Sequence, residues 1–169
     1  FEALGVGREA FPELLLLFTE GCLEYSSESE ANQLAHARRY ARNIIGDLNH
    51  GANAWIDWNL ALDAGGGPNH VGNFCFAPVH ARTEDGTLHY MNSYYYIGHF
   101  SKFIRPGARR IACSSSRAQL LATAFLNPDG SVAVVVMNPT EEKIGYRLYV
   151  GGQAVEAESL PHSIATLIY

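Results

Sequence analysis

The sequence predicts an α/β segment followed by an all-β segment, with the boundary near residue 107. Three observations lead there. Two short continuous apolar runs, residues 12–19 and 52–58, flank a stretch with helical spacing, which is the pattern of a βαβ unit with parallel strands. Beyond Gly107 the pattern changes to short strand-like runs separated by turn residues. Between the two lies an aromatic-rich segment that stops before Pro106-Gly107 and reads as a helix.

The elements follow in order. The run PELLLLFT is the kind of strand buried on both faces of a parallel sheet, and it ends abruptly at Glu20-Gly21. Ser27 and Glu30 have the spacing of a capping box. Over residues 31–50, Leu34, Ala37, Ala41, Ile44, Ile45 and Leu48 recur on one helical face, and Gly51 supplies the stop. The strand ANAWIDW follows. Residues 59–75 read as a long loop, because Gly65-Gly66-Gly67-Pro68-Asn69 cannot sustain regular structure. Residues 76–82 and 87–90, separated by Glu84-Asp85-Gly86, form a predicted hairpin, and residues 91–104 a helix packed on a sheet. Predicted strands 109–114, 118–127, 132–138, 145–150 and 164–169 complete the chain, with turns at Asn127-Pro128-Asp129-Gly130 and Gly151-Gly152. No internal repeat interrupts this plan.

Bulk properties exclude several function classes. The 169 residues are 47% hydrophobic and 17% charged, a globular composition, and the net charge of −5 leaves no basic footprint for nucleic acid. Apolar stretches such as Leu14 to Phe18 are too short for a transmembrane segment. Cys22, Cys75 and Cys113 are odd in number and far apart, which fits neither a disulfide framework nor a CxxC metal site, and the seven histidines are dispersed. Asn138-Pro139-Thr140 is disqualified as a sequon by its proline. These features suit a soluble protein in a bacterial cytoplasmic or secreted setting, with no cofactor or metal implied. The first residue, Phe1, reads as a processed, cloned or truncated end.

Among groups that could carry chemistry, Glu20 stands out by position. A carboxylate directly after a parallel strand lies where α/β folds place their ligand sites, although a solvated loop glutamate fits the same position equally well. Asp57, Trp58 and Asn59 end the next strand and share that rim. For Asp57, a bond to a neighbouring side chain or loop amide is preferred over a second catalytic carboxylate. Gly65–Gly67 lacks the Lys-Ser/Thr of a phosphate loop. Cys22 has no histidine placed to activate it and reads as a packed thiol, and Tyr94-Tyr95-Tyr96 reads as core or interface rather than a sugar platform.

The segment Phe18-Thr19-Glu20-Gly21-Cys22 resembles the nucleophile strand of glycoside hydrolase family 30, the glucosylceramidase (acid β-glucosidase) family. Residues 55–63 (WIDWNLALD), continuing through Gly66-Gly67-Pro68-Asn69 to Asn73-Phe74, resemble that family's last barrel strand and its loop. GHFSKFI at 98–104 resembles the closing barrel helix, and Asn127 to Asn138 the C-terminal β-sandwich. The resemblance spans nearly the whole chain in the right order. It implies the C-terminal part of a (β/α)8 TIM barrel over residues 1–107 and an antiparallel β-sandwich over 108–169. It also implies hydrolysis of a β-glucoside or glycolipid substrate with retention, and no cofactor. Glu20 falls on the nucleophile position, and Cys22, Trp58, Asn73 and Phe74 fall on or near the sugar pocket. His70 departs from the pattern, which has Trp there.

Retention needs two carboxyl groups about 5–5.5 Å apart. The family's acid/base glutamate sits in an Asn-Glu pair, and no such dipeptide occurs in these 169 residues. The expected partner of this chain is therefore an N-terminal barrel portion. Two other readings stand beside it: a non-catalytic carbohydrate-binding or structural sandwich, with Tyr146 and Tyr149 as its aromatic cluster, and a fragment that folds by self-association.

Overall fold

A computed structural model of the chain describes residues 1–22, 30–68 and 75–169. The described residues divide into two compact units, Phe1–Ile97 and Gly98–Tyr169.

The first unit opens with helix α1 (Glu2–Ala10), which the sequence pattern does not announce. It has no buried residue and carries Gly5 and Gly7, each costly in a helix interior, so neither periodicity nor propensity marks it. Phe1 stacks on His50 and fills the space that a side chain at Gly46 would need. Strand β1 (Leu17–Gly21) and strand β2 (Ala54–Asp57) pair in parallel, joined through helix α2 (Glu30–Asn49) as the βαβ pattern requires. Helix α2 buries Ala37, Tyr40, Ala41, Ile44 and Ile45, a stripe at three- and four-residue spacing. It ends at Gly51, whose φ of 101° suits a residue without Cβ. The expected capping serine, Ser27, lies outside the described residues.

The expectation of a strand over 12–19 buried on both faces is not met. β1 begins five residues later, takes Glu20 into the strand itself, and leaves Leu15 72% and Leu17 52% exposed. The reason is topological: among the described residues β1 has β2 as its one neighbour in a two-stranded sheet, which leaves its outer edge and much of its apolar surface without cover from them.

The predicted loop 59–75 contains a short strand, β3 (Ala61–Asp63), missed because three residues ahead of a glycine run give no readable period. β3 pairs in parallel with β4 (Val79–Arg82), and β4 pairs antiparallel with β5 (Thr87–Tyr90) as the predicted hairpin. Asp63 organises the glycine turn, since its Oδ1 accepts the amides of Gly65 and Gly67 at 2.8 and 2.9 Å. Helix α3 (Asn92–Ser101) occupies the aromatic segment. Tyr94 and Tyr95 are 41% and 58% exposed and Tyr96 is half-buried, so the core half of the core-or-interface expectation fails for the first two. Successive helical residues point about 100° apart, so three in a row cannot all face inward.

The second unit contains β6 (Arg109–Ile111), β7 (Leu121–Leu126), β8 (Val132–Asn138), β9 (Ile144–Val150), β10 (Gln153–Ser159) and β11 (Ser163–Ile168). All pairings are antiparallel, in a four-stranded sheet of order β11-β8-β7-β6 and a two-stranded sheet β10-β9. β10 was not expected, because QAVEAES carries charge at alternate positions and its burial is slight. The core is Leu120, Ala124, Val134, Val136 and Ile144, with Tyr146, Leu148 and Leu167 packed on it. Asn138, fully buried, ties the β8 end by donating Nδ2 to the carbonyls of Glu142 and Leu160 at 2.7 and 3.0 Å.

Candidate active site

The C-terminal ends of β1 and β2 lie side by side, because the strands are parallel and Gly21 is the partner of Asp57. Glu20 and Trp58 therefore share one rim, as the βαβ pattern requires. Glu20 itself is exposed.

The ladder is irregular at this point. Phe18 pairs with Trp55 and Gly21 with Asp57, so Thr19 and Glu20 on β1 face Ile56 alone on β2. This is a β-bulge, a device that bends a strand and re-aims one side chain. Its far side is pinned by aromatic packing: Phe18 stacks on Trp55 at 5.2 Å with the rings 7° apart, and Tyr40 meets Trp55 edge-on. The Trp55 indole N–H donates to Asp47 at 3.1 Å. Burial raises the Asp47 carboxyl above the usual carboxylate range, partly offset by that bond. Gly21 is required by this packing, because a Cβ there would sit 2.7 Å from Trp55 Cζ2.

Asp57 is bonded as the bland reading of the sequence expects. Its Oδ1 accepts the Tyr40 hydroxyl at 3.0 Å and the Trp58 amide at 3.0 Å. The same Trp58 amide reaches the Gly21 carbonyl at 2.8 Å, so it is shared between the two acceptors. Burial pushes the Asp57 carboxyl up to about 6, against the pull of both bonds. Its Oδ2 is shielded from solvent and has no partner among the described residues. The Tyr40 hydroxyl is pushed far up, first by burial and then by the neighbouring carboxylate.

Cys22 and Trp58 pack on the small cluster of Leu62, Cys75 and Ala77, so Cys22 is a half-buried packed thiol. Asn73, Phe74 and His70 lie outside the described residues. Among the described residues no group of three or more His, Cys, Asp or Glu could hold a metal, and no helix is long and apolar enough to cross a membrane. In the second unit a groove of about 950 Å³ opens between the two sheets, floored by Leu120, Val134 and Val136 and rimmed by Arg117, Arg147 and Glu156.

Comparison with known proteins decides the family. The Glycosyl hydrolase family 30 TIM-barrel domain matches residues 2–104, and that family's beta sandwich domain matches residues 107–167. The chain belongs to glycosyl hydrolase family 30. Its fold is the C-terminal part of that TIM barrel followed by the antiparallel β-sandwich. The mouse lysosomal acid glucosylceramidase is 36% identical over 145 residues, 83% of this chain and 28% of the relative. The structure of SrfJ from Salmonella typhimurium superposes with a TM-score of 0.94 at 34% identity, covering 99% of this chain and 38% of that one. An endo-β1,6-glucanase superposes with a TM-score of 0.83 at 28% identity, covering 98% and 38%. The chain thus spans about a third of the length of these glycoside-hydrolase relatives.

Proposed function

We propose that this chain contributes the nucleophile of a retaining β-glycosidase, with Glu20 attacking the anomeric carbon of a β-glucoside or glycolipid. The observation that carries the reading is the placement of Glu20 in a bulge at the C-terminal end of a parallel barrel strand, beside Trp58. On this reading Trp58, Cys22, Asn73 and Phe74 line the sugar pocket, with the Trp face stacking on the sugar's C–H groups. Residues 1–107 supply barrel strands, and residues 108–169 a sandwich without a catalytic group. The relatives named glucosylceramidase support a glucosidic substrate. The acid/base carboxyl comes from polypeptide outside these residues.

In the first step the Glu20 carboxylate forms a covalent glycosyl ester while the acid protonates the leaving oxygen. In the second, water activated by the same group releases the sugar with its configuration retained. In the full-length protein, Glu20→Gln should abolish covalent labelling by an activated 2-deoxy-2-fluoro-β-glucoside, because a neutral amide is a poor nucleophile. Mass spectrometry of the peptide carrying residue 20 reads the outcome, and label found on another carboxylate would overturn the assignment.

The groove between the sandwich sheets favours, in one respect, a carbohydrate-binding sandwich, since Tyr146, Arg117 and Arg147 border it. Its aliphatic floor argues the other way, because a hydroxyl-rich ligand needs many polar partners there.

A further inference from the structure

We infer that Asp57, held by Tyr40, is a positioning residue that sets the aim of the Glu20 carboxylate. The inference rests on the nucleophile reading of Glu20 and deepens it.

A bulge removes part of the ladder that would otherwise fix the strand, so something else must hold the residues on either side of it. Upstream, Phe18 is clamped by the Trp55 ring. Downstream, the restraint on Gly21 is its carbonyl bond to the Trp58 amide, and that amide is shared with Asp57 Oδ1. The carboxylate therefore draws the amide toward itself and sets how it meets the Gly21 carbonyl, one residue from Glu20. Tyr40, on the buried face of α2, fixes the carboxylate in turn. The chain of contacts runs from helix α2 through Asp57 and Trp58 to the residue that follows the nucleophile.

The choice of Asp at this position also needs a reason. Oδ1 takes both hydrogen bonds, and an asparagine oxygen would accept the same two. A carboxylate instead leaves Oδ2 shielded and unpartnered among the described residues, a costly arrangement for a purely structural link. Charge strengthens acceptance from the amide and the hydroxyl about two-fold, and that is what an aiming device requires. Among the described residues, the titratable groups that face this unit are Tyr40 on α2, Cys22 just past β1 and Cys75 ahead of β4.

The test uses full-length protein, with Asp57→Asn, Tyr40→Phe and Glu20→Gln compared. The readout is the rate of covalent labelling by a 2,4-dinitrophenyl 2-deoxy-2-fluoro-β-glucoside across pH 4–8, a step that needs the nucleophile but little acid assistance. Misplacement of about an ångström can cost about 10²-fold. Asp57→Asn and Tyr40→Phe should therefore slow the limiting rate by about 10–100-fold, with the half-saturating concentration changed less than about two-fold.

The pH profile separates aiming from mere support. The aim is correct when Asp57 is ionised, so the unsubstituted protein should lose rate as pH falls through about 6. Asp57→Asn should delete that limb. Tyr40→Phe removes a bond that lowers the Asp57 pKa and should move the limb to higher pH. Unchanged rates and an unchanged limb in both variants, with Glu20→Gln unlabelled, would overturn the positioning role while leaving the nucleophile in place. Labelling that persists in Glu20→Gln would instead remove the nucleophile reading itself.

Discussion

Gly21 and Trp55 show how much of the site rests on a single absent side chain. The indole is held on three sides, by the Phe18 ring, the Tyr40 edge and the Asp47 carboxylate, so it cannot swing away from a new methyl group. Gly21→Ala should therefore cost about 1–3 kcal/mol by overpacking. Urea unfolding reads this, and Trp55→Phe in the same chain should recover part of the loss by opening space, a non-additivity that a double-mutant cycle measures. If Gly21→Ala is neutral, the packing argument is wrong. None of this was legible in the sequence. FTEGC identifies the strand end, but a bulge depends on the register between β1 and β2, and register is set by pairing across more than thirty residues of intervening chain.

At the level of elements, the ones with strong local signals were readable. The helix over 31–50, the hairpin at Glu84-Asp85-Gly86 and strand Val132–Asn138 all coincide closely with what forms. The turn at Asn127–Gly130 is a case where chemistry and geometry agree: Gly130 has a φ of 88°, and Asp129 Oδ1 accepts the Ser131 amide at 2.9 Å. Elements without such signals were missed, namely α1 with its glycines and no buried face, the three-residue β3, and the polar β10. The end of β8 depends on one amide that no periodicity reveals. Asn138 donates to three carbonyls and accepts from Thr140 through both its amide and its hydroxyl. Asn138→Ala would remove these bonds and the fully buried amide that makes them, so the chain should lose about 2–3 kcal/mol in urea unfolding. A loss under about 0.5 kcal/mol would show that water takes over the amide's bonds and would overturn this assignment.

For the whole molecule, the family was readable in DWNLAL and GHFSKFI, which both lie within the residues matched by the family's TIM-barrel domain, and the beta sandwich domain match follows them. What could not be read was which apolar residues would stay uncovered. LLLLF is written as a buried strand, yet Leu14 and Leu15 lie exposed ahead of β1, Leu17 is exposed within it, and the outer edge of β1 has no partner among the described residues. That open edge gives the chain the logic of an AND gate. On the reading proposed above, the nucleophile lies on one side of the edge and the acid on the other. Neither piece alone should turn over an unactivated β-glucoside, since loss of the acid alone costs roughly 10²–10⁴-fold. Mixed with a second polypeptide that bears the earlier barrel strands, the two should report their own encounter as sugar release. The signal should rise with the product of the two concentrations until the edge is saturated. Release by the purified 169-residue chain on its own would show that the gate has a single input.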